Sequence, residues 1–356
     1  MGHSAIRIDS RNEKEGVLVP KKRKGTKNFM DVSLELRKKD FESKAGRYFV
    51  DILPVGVQKS LKRAVLETGI ESEDGLKWLK HALSDNGNGH PNSPIARGVY
   101  EDPYNPRAFK YLYGEEDALS EMDKGYIFTS GAHAIYLRLQ SIIEKLPDVI
   151  KKERRKLKLK KSEKFVIFNI GAAYGLDTIY MMVEHPELAD KVEIVHIDPD
   201  EDSLVCGMKY AEKLGVIKSF KFVTEKVENY EKGKAHMILF IGMFCPTPTR
   251  QCIFTLKFIK KFLVENGVVI FSTVQEKMLM EGPILDFIMW TYGWRMYFKA
   301  DDEPGQIATL AGLKHEKAMD WEDEIGHNRM TVARNPKPSV LGRVGDVFKL
   351  VKALVL

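Results

Sequence analysis

Only three cysteines, Cys206, Cys245 and Cys252, stand in a chain of 356 residues. Their number is odd, and their spacing fits neither a disulfide framework nor a zinc site. They read as free thiols of a reducing compartment, so the expected location is the cytoplasm and no metal is expected. No stretch approaches the roughly 20 uninterrupted apolar residues that a membrane span requires. The first residues, MGHSAIRIDSRNEKEG, contain no apolar core, so no secretory signal is expected. Also missing are the G-x-G-x-x-G fingerprint of dinucleotide binders and the G-x-x-x-x-G-K-[ST] phosphate loop. These absences leave a globular protein without a dinucleotide or P-loop site.

What is present is a core of ordinary apolar content, 44% hydrophobic, and an uneven charge. Residues 165–334 carry 19 Lys and Arg against 25 Asp and Glu, while residues 1–164 carry 33 against 24 and residues 335–356 carry 4 against 1. An acidic centre thus lies between basic flanks. Residues 1–45, with Pro20-Lys-Lys-Arg-Lys24, are polar enough to be flexible. Residues 46–164 show helical spacing, including a long pattern from Gly131 to Lys156 built on Ile135, Leu139, Ile142, Ile143, Leu146 and Ile150. Lys151–Lys164 has nine basic residues without interleaved aromatics, so no specific nucleic-acid contact is expected. Residues 340–356 can form a basic amphipathic helix, suited to peripheral membrane contact or to docking on the protein itself. These segments give expected boundaries at 1–45, 46–164, 165–335 and 336–356.

The chemistry concentrates in Phe165–Asp200. An apolar run, Phe165–Ile170, meets the turn Gly171-Ala-Ala-Tyr-Gly175, and a helical pattern starts near Leu176. A second apolar run, Val192–Ile197, ends in Asp198. Strand, tight turn, helix, strand and acid form the first unit of a nucleotide-binding α/β sheet. Small side chains let a ligand approach the backbone, and an acid at the second strand's tip can accept hydrogen bonds from ribose hydroxyls. Beyond it, Glu201–Leu214 reads as a helix capped by Asp200, and Phe220–Val223 and Met237–Ile241 as strands. Thr249–Glu265 reads as a helix stopped by Asn266-Gly267, followed by a strand at Val268–Ser272. Ile284–Tyr292 and Pro304–Leu313 read as helices, Trp294–Phe298 and Arg329–Ala333 as strands. Alternation of this kind implies a mostly parallel sheet covered on both faces.

With these motifs in order, the sequence resembles class I S-adenosylmethionine-dependent methyltransferases over about residues 125–335. The resemblance implies a Rossmann-like α/β fold, mostly parallel with an antiparallel C-terminal edge, behind a helical N-terminal region that covers the site. It implies S-adenosylmethionine as cofactor, held by Asn169, Gly171, Ala172, Ala173, Gly175, Asp198, Pro199, Glu225 and Gly242. Asn169 and His236 stand where the family carries acids, and Ala173 where it carries the middle glycine. Met243, Phe244 and Cys245 follow the fourth strand and are candidates to line the substrate pocket. Tyr126, His133 and Arg138 are candidate catalytic residues of the cover, with Arg138 able to clamp a carboxylate. Segments 118–143 and 288–298 also resemble a bacterial subgroup associated with methyl esters of hydroxy fatty acids, which implies a small-molecule or lipid acid acceptor. Competing expectations are an aminocarboxypropyl transferase of the nicotianamine-synthase type, a non-catalytic binding or scaffold protein, and a metal-dependent glycosyltransferase using Asp198-Pro-Asp200. No D/N-P-P-Y/F/W motif of nucleic-acid methylation is present.

Overall fold

A computed structural model describes residues 130–276, 278 and 296–337. The expectations for 1–45, 46–129, 277, 279–295 and 338–356, Tyr126 and the amphipathic tail among them, lie outside the described residues. Helix α1 (Ser130–Lys156) is followed by β1 (Phe165–Ile170), α2 (Leu176–Glu184), β2 (Val192–Asp198), α3 (Glu201–Lys213), β3 (Phe220–Thr224) and β4 (Ala235–Phe240). Then come α4 (Thr249–Ile259), β5 (Leu263–Val274), α5 (Glu303–Leu310), β6 (Lys314–His315), β7 (Trp321–Glu322) and β8 (Asn328–Arg334). They build an eight-stranded sheet ordered β3-β2-β1-β4-β5-β8-β6, with β7 also paired to β8. The first five strands are parallel, whereas β8 runs antiparallel to β5 and carries β6 and β7 along its length. This is the expected Rossmann-like sheet with an antiparallel C-terminal edge.

The parallel strands are buried on both faces because successive residues feed different cores. Phe165, Ile167, Ile194, Met237, Leu239 and Ile270 pack with α1 and α2. Phe168, Ile170, Val195, Ile238, Phe240 and Phe271 pack instead with Leu256 and Ile259 of α4 and Ile307 of α5. That explains the near-continuous apolar runs of the sequence. Helix α1 ends in Arg154, Arg155 and Lys156, cations suited to the negative end of a helix dipole. Arg154 also donates to the Glu163 and Lys191 carbonyls, at 2.9 and 2.6 Å, and so closes the basic linker over the edge of the sheet.

Two expected boundaries change. The helix expected to reach Glu265 stops at Ile259, and β5 begins at Leu263. Asn266-Gly267 is a kink inside that strand: Asn266 takes φ +62°, and its amide and the Gly267 carbonyl both pair with Asn335. Backbone pairing thus keeps the strand going through a turn-like dipeptide. The strand expected at 294–298 is not formed over its described part, where Met296–Phe298 is irregular. The chain rejoins the sheet through a single parallel bridge from Gln275 to Lys299. Among the described residues, no helix is long and apolar enough to cross a membrane.

Candidate active site at the carboxyl edge of the sheet

Strand β1 ends at Ile170, and the next five residues turn sharply before α2. Gly171, Ala173 and Gly175 all have positive φ, at 66°, 49° and 63°. Glycine takes such angles without strain, so Ala173 is the strained member. Gly175 answers to a second demand, because a Cβ there would stand 2.0 Å from the ring of the fully buried His196. Helix α3 approaches the same turn closely, since a Cβ on Gly207 would stand 2.3 Å from the Tyr174 carbonyl oxygen. Two glycines therefore let a strand histidine and a helix clamp the turn from below.

Asp198, at the tip of β2, accepts the Ala173 amide on one carboxylate oxygen at 2.8 Å and the Asp200 amide on the other at 2.9 Å. Burial raises its carboxyl above the ordinary range, and the two amide donors oppose that shift. A carboxylate offers about four lone-pair directions, so capacity remains for a ligand's hydroxyls. Asp200 caps α3 by accepting from the Ser203 amide and hydroxyl, at 3.4 and 2.5 Å. The two aspartates are thus committed to the turn and the helix. No group of three metal-ligating side chains occurs among the described residues.

Asp177, in the first turn of α2, was not among the expected site residues. It accepts from its neighbour's amide, Thr178, at 2.8 Å and from Asn169 Nδ2 at 3.3 Å. Its carboxyl is raised by burial, against which the Thr178 amide, the Arg138 charge and the Asn169 bond act. The acid missing at Asn169 thus has a counterpart eight residues on, held by Asn169 itself. An acid two positions after Gly175 was the signal available in the sequence. Arg138 of α1 reaches the same corner: its guanidinium lies 3.4 Å from the place of a Cβ on Gly242, and Nη1 points at Cys245 Sγ from 4.0 Å.

Of the remaining candidates, those at 242–245 follow β4 at this corner. Gly242, at φ +81°, donates to Ser272 Oγ at 2.7 Å just beyond β4. Met243 is 41% exposed, and its thioether lies on Gly171, 2.6 Å from where a Cβ would stand. Phe244 is buried against Phe240 and Phe271 beneath the site. The Cys245 thiol is also buried, and burial raises it above its ordinary range, which keeps it protonated. Pro199 is exposed beside Asp198, Ala172 is half-buried in the turn, and Glu225 is half-buried just after β3. His133 lies in the first turns of α1. His236 is not part of the corner: it sits at the amino end of β4, stacks on Phe165 and accepts the Val166 amide at 2.9 Å. Its replacement of an acid therefore does not touch the turn.

The fold and the turn together define a Rossmann-like α/β domain. No family model matches the chain, and no curated protein matches it. Among solved structures, a possible exported protein from Bordetella parapertussis shares the fold at a TM-score of 0.53 with 11% identity, over 79% of this chain and 94% of that one. An O-methyltransferase family 2 protein from Planctomyces limnophilus, in complex with apigenin, reaches 0.48 with 15% identity over 86% and 96%. Magnesium protoporphyrin IX methyltransferase from Synechocystis, with bound SAH, reaches 0.47 with 13% identity over 68% and 99%.

Proposed function

We propose that the protein is an S-adenosylmethionine-dependent methyltransferase acting on a small molecule or lipid acid. The observation that carries this reading is Asp177. In a dinucleotide-binding domain the helix after the glycine turn presents free amides to a pyrophosphate. Here that helix start already holds a carboxylate, which repels a pyrophosphate and favours a ligand with positive charge. S-adenosylmethionine has both an ammonium and a sulfonium, and no pyrophosphate. The residues fit the rest of it: Asp198 keeps lone pairs for ribose hydroxyls, and Arg138 can take a carboxylate. When bound, the cofactor supplies an electrophilic methyl group.

The chain's own part is to hold both reactants in line, since orientation alone is worth ~7–11 kcal/mol. His196 is buried with its pKa lowered to about 3, and His236 lies at the far edge, so neither offers a base at the turn. An acceptor that is already an anion needs none, which favours O-methylation of an acid. Calorimetric titration with S-adenosylmethionine, S-adenosylhomocysteine and NAD tests the proposal. Binding of the first two without NAD is the expected result, and binding of NAD alone overturns it.

A further inference from the structure

Helix α4 and the turn that follows it carry no acid: Thr249–Phe262 reads TRQCIFTLKFIKKF. At 100° per residue, Cys252, Leu256 and Ile259 point to one side, and all three are buried in the core. Arg250, Phe254 and Lys257 form a stripe on the other side, flanked by Phe258, which is half-buried against the core, and by exposed Lys261 of the following turn. On that stripe Phe254 is 57% exposed, one of only three large exposed apolar side chains among the described residues. The Arg250 guanidinium and the Lys257 ammonium lie 5.7 and 5.9 Å from its ring centre. Lys261 stands 3.8 Å from the centre of the Phe258 ring. None of these three cations is in an ion pair among the described residues. This stripe is purely cationic in a region, 165–334, whose 25 acids outnumber its 19 bases.

We propose that the α4 stripe is a docking face for an anionic phospholipid surface. A protruding aromatic ringed by cations on a convex helix matches an interfacial helix, whose apolar groups enter the headgroup boundary while the cations meet lipid phosphates. Single-stranded nucleic acid instead calls for aromatic platforms in a groove that follows the backbone. Two of the three cations are lysines, point charges without the planar fork that reads a nucleic acid's phosphates in pairs. The helix starts right after the 242–248 loop, so the Arg250 end of the stripe lies nearest the candidate site and the Lys261 end, just before β5, lies toward the opposite edge of the sheet. The inference stands independently of the methyl-transfer reading.

Each Lys or Arg near an anionic membrane strengthens binding about fivefold. Full-length protein is therefore expected to sediment with vesicles containing phosphatidylglycerol and not with phosphatidylcholine alone. K257A/K261A should lower that binding about 25-fold, and Phe254→Ala should lower it further while leaving salt dependence unchanged. Thermal unfolding and S-adenosylhomocysteine titration of the same variants separate lost docking from lost folding or a lost cofactor site. Three results overturn the proposal. One is wild-type protein that ignores anionic vesicles; another is variants that bind them undiminished. The third is variants whose loss appears only against single-stranded oligonucleotides.

Discussion

Arg334 and Arg138 are both arginines within the fold, 4% and 9% exposed, yet they meet opposite surroundings. At the amino edge of the parallel strands, Arg334 donates twice to Glu153, at 2.7 and 2.9 Å, and once to the Asn266 carbonyl, at 2.6 Å, with Glu316 beside it. That set joins α1, β5 and β8, and every charge in it is answered. At the carboxyl edge, Arg138 has a thiol sulfur 4.0 Å away and feels Asp177 without pairing to it. Asp198 likewise holds two amides and keeps lone pairs to spare. Leaving buried charge half-answered costs stability, which makes the carboxyl edge the place to test for a ligand.

Breaking the closed set should have the largest effect. Arg334→Met leaves Glu153, fully buried, as a carboxylate without its partner, an expected loss of ~3–5 kcal/mol. Urea unfolding measures it. The double change with Glu153→Leu should recover much of that loss, because two apolar groups leave no buried charge behind. A double variant no more stable than Arg334→Met would show that the pair stabilises by more than mutual neutralisation.

Beneath the turn, His196 offers a pH-dependent version of the same contrast. Thr178 Oγ1 donates to the Gly175 carbonyl at 3.0 Å, so it accepts from His196 Nε2, at 2.8 Å, and the ring is neutral with the proton on Nε2. Nδ1 is buried with no partner. Burial lowers the folded pKa from 6.5 to about 3, so between those values the unfolded chain takes up a proton that the folded one refuses. Stability is therefore complete above pH 6.5 and falls with decreasing pH by up to ~1.4 kcal/mol per unit until about pH 3. Wild type and His196→Gln, unfolded in urea at pH 7 and pH 5, should differ in slope. Equal slopes would assign the acid sensitivity to other groups.

At the open site the expected effect is on binding. Asp198→Asn should weaken S-adenosylhomocysteine by the ~1.5–3 kcal/mol of charge-assisted hydrogen bonds, and leave most of the stability in place. An unchanged affinity in a folded variant would remove Asp198 from the ribose role.

The parallel strands, the turn and the acid at the tip of β2 were legible in sequence because each depends on local pattern: apolar runs, small residues at fixed spacing, an acid at a strand end. The antiparallel edge was less so. β6 and β7 are two residues each and exist only because β8 pairs with them, so no periodicity announces them. Asn266-Gly267 read as a stop because its chemistry is that of a turn; the partner that overrules it, Asn335, lies 69 positions away. Asp177 was passed over for the same reason. Its meaning comes from the Asn169 bond and from the charge of Arg138 on another helix, which only the fold brings near.

The smallest expected effect concerns Ala173, the one residue of the turn that departs from glycine while keeping a left-handed backbone, at φ +49°. A Cβ in that region costs roughly 1–2 kcal/mol. Its amide is fixed by Asp198, which holds the angle in place. Ala173→Gly should relieve the strain, partly offset by the greater freedom of glycine in the unfolded chain, for a net gain of about 1 kcal/mol. Thermal unfolding reads the gain, and S-adenosylhomocysteine titration reads its use. If the turn is strained so that its amides already face a ligand, the variant gains stability and loses affinity. If stability rises and affinity is unchanged, the angle is set by the grip of Asp198 alone.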